Sequence, residues 1–399
     1  MTSGLIADSI VDFCGTIGLC VAMMTLYRRD HRSPLSRRLL LALGIIATLF
    51  LVRAVAWWTG SPFFDRLSSL PAALVPLGAL VVTEGLLRRH APRAVKMVVS
   101  LGSTVLFLGG VFTPRQFLAS YTVALLLFQL AGFSICAWLL ATRDRSALMA
   151  SENRNIGRLA VGALLVIPFV LTDFRSLFPD LPVRLGALGA LLTVVVMLTE
   201  GGGAETRRHG LSMMALRLIS SALLGVGAAF LAPDVDAAQI MRFCAVAMAG
   251  QLTIGMMTDA LRSLFESREP GILNSVAASP AQARDQLIAE LAHHPIFESA
   301  RRYREDDLTH YDPGLLRGLL STRQVLRQPD APWGLTSTDP AVERMVSLLT
   351  ANSATHAIVL AHDPIDVIVL AVPVISADPA TETAISLVRR LLALSPASK

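Results

Sequence analysis

Residues 39–58 read LLLALGIIATLFLVRAVAWW, twenty positions that carry one charge, Arg53. An α-helix rises about 1.5 Å per residue and the hydrocarbon core of a bilayer is roughly 30 Å thick, so about twenty mostly apolar residues cross it. Similar runs lie on either side of this one. They fall at 5–27, 70–87, 95–112, 118–141, 159–171, 185–198, 211–231 and 240–257, which predicts nine crossings. The sixth and seventh have short apolar cores, so eight is the alternative count. No basic residue precedes the first run and Asp8 lies inside it, which argues for a retained helix and against a signal peptide.

Composition agrees with this reading. Apolar residues make up 53% of the chain and charged residues 16%, an excess of apolar surface that is expected to face lipid. The net charge of +5 is not a nucleic-acid footprint, because the positive residues sit in short loops between apolar runs. Fifteen of them fall in alternate loops, among them Arg28, Arg29, Arg88, Arg89, Arg143, Arg207 and Arg208, against five in the intervening ones. Positive loops are retained in the cytoplasm, so the N-terminus is expected outside and the C-terminal part inside. Trp57 and Trp58, with Phe63 and Phe64, suit an aromatic belt at the outer interface. Cys14, Cys20, Cys136 and Cys244 all lie in apolar runs without metal-ligand spacing, so neither disulfides nor a zinc site are indicated. Only Lys96 and Lys399 are lysines, a usage common in GC-rich bacterial genomes, so a bacterium is the expected source and its inner membrane the expected location.

Hydropathy falls after residue 258. The predicted organisation is a transmembrane helical bundle over 1–258, a linker over 259–279 with the breaker Glu269-Pro270-Gly271, and a small cytoplasmic α+β domain over 280–399. Within that domain the pattern predicts helices from Ser279 to His293, over 313–326, 340–349 and 381–394. A β-hairpin is expected from strands 356–361 and 367–374, with its turn at 362–366.

Charges inside membrane spans mark functional candidates. Asp8 and Asp12 lie one turn apart on the first span, and with Arg53 and Glu84 they are the candidates for ligand or proton sensing. Arg53 lies toward the outer end of its span and Glu84 toward the inner end of the next, which argues against a direct pair. Arg217 is expected to snorkel to the headgroups. Pro76 and Pro168 interrupt spans, as in transporters, although no matched repeat accompanies them. His293-His294-Pro295 is read as exposed histidines, and His310 with Asp306, Asp307 and Asp312 as solvated surface. Gly201-Gly202-Gly203 follows a membrane helix and is read as a flexible loop. No G-x-S-x-G, H-E-x-x-H, Walker or Rossmann motif occurs, so no catalytic residue and no cofactor are assigned.

The plan of an N-out bundle with basic cytoplasmic loops, a linker and a small soluble domain resembles the membrane input modules of bacterial sensory proteins. Residues 323–332, the helix at 342–349, the hairpin at 356–374 and the last helix are similar to the later half of a GAF-type sensory domain. The resemblance implies a regulatory, non-catalytic tail. The expected function is therefore a sensor that relays a membrane or periplasmic signal to a cytoplasmic signalling partner, with membrane lipids around the bundle. The alternative is a transporter or lipid-linked membrane enzyme with a regulatory tail. A membrane-tethered DNA regulator is disfavoured by the net negative tail.

Overall fold

The computed structural model describes residues 3–30, 33–87, 89–113, 117–143, 150–174, 177–178, 180–199, 204–231, 235–265, 283–292, 294, 296–297, 299–372 and 379–395. The breaker at 269–271, the glycine run 201–203 and His293 lie outside them. The chain divides into two compact units, a helical bundle within residues 3–265 and a tail.

The bundle comprises α1 (Ser3–Asp30), α2 (Pro34–Thr59), the short α3 (Pro62–Leu67), α4 (Ser69–Leu87), α5 (Arg93–Phe112), α6 (Leu118–Ala141), α7 (Ala150–Leu171), α8 (Gly186–Thr199), α9 (Ala204–Ala229) and α10 (Ala237–Phe265). Among the described residues, seven helical stretches are long and apolar enough to cross a membrane: Gly4–Arg28, Pro34–Thr59, Pro62–Leu87, Arg93–Phe112, Leu118–Ala141, Leu211–Ala229 and Ala237–Leu261. Two shorter apolar helices, Ala160–Leu171 and Gly186–Leu198, coincide with the sixth and seventh predicted spans. The bundle is thus compatible with a multi-pass membrane protein.

Local chemistry sets the helix ends. Pro34 starts α2 at a position where a missing N–H is harmless. Gly60 ends it at φ 63°, a left-handed conformation open to glycine, and its N–H returns to the Ala56 carbonyl at 2.9 Å. Helix α1 lies at the centre, with Val11, Leu19, Ala22 and Leu26 fully buried. It packs on α2, α8 and α10. Close approach depends on Gly18, where a Cβ would collide with Leu191 of α8 and touch Met256 and Thr253 of α10. The Thr253 hydroxyl also donates to the Cys14 carbonyl at 3.0 Å. By contrast, α5 and α9 expose Met97, Leu101, Leu108, Leu216, Ile219 and Leu223, an apolar face suited to lipid and not to water.

The tail is an antiparallel sheet of four strands: β1 (Arg301–Arg304), β2 (Val325–Arg327), β3 (His356–His362) and β4 (Ile365–Leu370), in the order β1-β4-β3-β2. Helices α11 (Arg284–Leu291) and α14 (Pro379–Leu394) cover one face, and α12 (Pro313–Thr322) and α13 (Pro340–Ala351) the other. Successive strand residues alternate between the two cores. Val359, Val367 and Val369 join Leu316, Met345 and Leu349, while Ile358, Ile368 and Leu370 join Leu287, Ile385 and Val388. Because both faces are covered, the central strands are apolar except at His356, His362 and Asp366, which makes them conspicuous in the sequence.

Two expectations for the tail are corrected, and one strand is added to them. The helix expected over 313–326 ends at Thr322, since Arg323 is extended and Val325–Arg327 pairs with Ile358, Ala357 and His356 as an edge strand. The hairpin turn is only Asp363-Pro364, because the strands run on to His362 and start again at Ile365. Strand β1 was not expected at all. Its sequence, RRYR, reads as charged surface, and it forms because Arg302 is held by Asp366 through two hydrogen bonds of 2.8 and 2.6 Å and by Asp285 of α11. The Asp366 carboxylate holds the Arg302 guanidinium above its ordinary value.

Candidate functional site

Arg53 cannot stay unpaired in an apolar bundle, because an isolated buried charge is strongly disfavoured. Its guanidinium is divided between two carboxylates. Asp12 of α1 accepts from Nε at 2.6 Å and from Nη2 at 2.7 Å, in the forked geometry that arginine and carboxylate favour. Asp173, two residues past α7, accepts from Nη1 at 2.8 Å. Asp12 is fully buried, and the Arg53 side chain is only 11% exposed.

The network extends along the α7–α8 connection. Asp173 also accepts the Gly186 N–H at 3.1 Å, the Thr172 hydroxyl accepts the Leu185 N–H at 2.7 Å, and Asp8 accepts the Arg184 N–H at 2.8 Å. The Gly186 N–H that opens α8 and the two amides before it are thereby satisfied by side chains, and Asp173 lies at a helix N-terminus that favours negative charge. Gly186 is required there, since a Cβ would collide with the Asp173 carboxylate. The Arg184 side chain approaches Asp8 at 3.8 Å and stacks over Trp57 at 4.5 Å, while Arg53 lies 5.5 Å from the same ring. Trp57 therefore serves two guanidiniums. Trp58, by contrast, is exposed and stacks on Phe13 at 5.6 Å.

Of the four sequence candidates, Asp8, Asp12 and Arg53 come together, and Glu84 does not join them. Glu84 accepts the Ala91 N–H at 2.7 Å and pairs with Lys96 at 2.8 Å, with His90 at 3.6 Å, where the chain passes from α4 to α5. Sequence reasoning missed Asp173 and left Arg184 as a loop charge. A signal was available: a buried arginine near the end of α2 needs acids at the same depth, and the start of α1 and the end of α7 both lie at that end of the bundle. Arg217 is also paired, with Asp259 of α10 at 3.2 Å.

The tail candidates take structural roles. His294 accepts the Ile296 N–H at 3.3 Å, and burial pushes its imidazole below the ordinary value. Asp307 accepts the Arg304 N–H at 2.9 Å. Among the described residues no group of three or more His, Cys, Asp or Glu is gathered as a metal site. Compared with protein-family models, curated proteins and solved structures, the chain matches none.

Proposed function

We propose that this chain is a bacterial inner-membrane signalling protein, with its N-terminus outside and its tail in the cytoplasm, that senses through the Arg53 network and passes the signal to a cytoplasmic partner. One observation carries the reading. The network is anchored on α1, and α1 packs against α10 through Gly18, Cys14 and Thr253. Helix α10 is the last of the bundle, so the chain leads from it into the tail. A change in which carboxylate holds Arg53 would thus bear on α1, and through α1 on α10. The tail would act by binding and not by catalysis. A GAF-type regulatory reading is supported by its antiparallel sheet, with the hairpin in the middle and helices on both faces.

A coupled transporter is the second reading, favoured by Glu84, Lys96 and His90 meeting at the α4–α5 end. Uptake into proteoliposomes across a panel of ions and small solutes separates the two. The sensor reading expects no flux; flux that disappears in Glu84→Gln would replace it with the transporter.

A further inference from the structure

The Arg53 network has a second property, which rests on the sensor reading of the same residues. One guanidinium serves two carboxylates from different elements, Asp12 on α1 and Asp173 beyond α7. The neighbouring pair, Asp8 and Arg184, is looser at 3.8 Å. Among the described residues the network sets three carboxylates against two guanidiniums. Two carboxylates beside one another in a poorly solvated site do not both ionise as readily as one.

We propose that Asp12, wholly buried and sharing Arg53 with a second carboxylate, takes up a proton, and that this proton makes the Arg53 network a pH-sensitive lock joining α1, α2 and the α7–α8 connection. The charged groups around it come from each neighbouring element: Asp8 and Asp12 from α1, Arg53 from α2, Asp173 from the end of α7, and Arg184 from the α7–α8 connection. Arg242 of α10 turns instead to the Pro182 carbonyl at 3.1 Å. With both carboxylates charged, Arg53 ties α1 and the end of α7 to α2. A proton on Asp12 removes the carboxylate charge of the forked pair, so that Arg53 keeps its ion pair with Asp173 and only weaker bonds to an uncharged carboxyl, freeing α1 to move against α10. The Asp173 side chain, 14% exposed against 1% for Asp12, is the nearer of the two to solvent.

Trp57, flanked by both guanidiniums, is a built-in reporter. The full chain, carrying 5-fluorotryptophan at its four tryptophans and held in lipid nanodiscs, is titrated from about pH 8 to about pH 4 by fluorine NMR, across the carboxylate range. The Trp57 resonance is assigned by its loss in Trp57→Phe. The lock predicts a single transition at Trp57 that vanishes in Asp12→Asn, moves to lower pH in Asp173→Asn and persists in Asp8→Asn. Should Asp12→Asn lose helix content by circular dichroism, the displaced midpoint in Asp173→Asn, lying outside the helix, carries the test alone. A parent protein without a transition overturns the lock, and so does a transition that is the same in Asp173→Asn as in the parent. If the transition occurs but amide exchange in α10 and the tail is the same at both ends of the titration, the lock stands and the sensor reading falls. If the tail responds to some other stimulus while Trp57 never titrates, the sensor reading stands and the lock falls.

Discussion

The Gln129 side-chain amide donates to the backbone carbonyl of Ala72 at 2.9 Å, four residues before Pro76. Proline has no N–H, so Pro76 leaves that carbonyl without its partner within α4, and a neighbouring helix supplies one. Gly132, one turn after Gln129, makes room for the proline ring, as a Cβ there would lie 2.6 Å from the Pro76 Cβ. Gln129→Leu removes the donor and should lower bundle stability by about 0.6–1.7 kcal/mol, the range of interhelical hydrogen bonds in membranes. The combined Gln129→Leu, Pro76→Ala variant should recover most of the loss, because α4 then satisfies its own carbonyl. Unfolding in mixed micelles, monitored by circular dichroism, measures both.

The tail should fold alone. Residues 279–399 contain both cores on either side of the sheet, and expressed without the bundle they should give a mixed helix and strand spectrum with cooperative unfolding. Met345, fully buried against that sheet, is the test position. Met345→Ala should cost about 2–5 kcal/mol, read as a shift in the denaturant midpoint.

Stability of the tail should fall in acid through Glu382. Burial opposes the charge of this carboxylate, but the His356 hydrogen bond at 3.0 Å and the positive charges of His356 and Arg327 hold its carboxyl below the ordinary value. A depressed folded value means that the unfolded chain binds the proton more tightly. The contribution is therefore complete above the ordinary carboxylate range and lost as pH falls through the lower folded value. Glu382→Gln should make tail stability less dependent on pH in that window; an unchanged slope in denaturant titrations would assign the acid sensitivity elsewhere.

Orientation is tested by reporter fusions. A cytoplasmically active reporter after Lys399 and an externally active one after Pro62 should both be functional, following the positive-inside rule. The reverse pattern would put the tail where no cytoplasmic partner can reach it.

Much of this arrangement is written in short-range pattern and some is not. The long apolar runs are visible because lipid-facing helices need apolar residues all round, and β3 and β4 because both their faces are covered. Strand β1 is hidden because an edge strand of arginines looks like surface, and β2 because its three residues follow a helix without a strong breaker. At the site, Asp8, Asp12 and Arg53 stand out as charges in apolar context. Asp173 and Arg184 do not, since their burial comes from the way the α7–α8 connection folds back onto α1, a relation of residues 161 positions apart in the Asp12–Asp173 case.

The central claim is that the Arg53 network communicates with the tail. Amide hydrogen exchange of the full chain in nanodiscs, compared between the parent protein and Asp12→Asn, tests it most directly. Asp12→Asn keeps an acceptor for Arg53 but removes the charge. The account predicts altered protection in α1, in α10 and in tail amides, with the α4–α5 region around Glu84 unchanged. Altered protection confined to α1 and α2, with α10 and the tail identical to the parent protein, would contradict it.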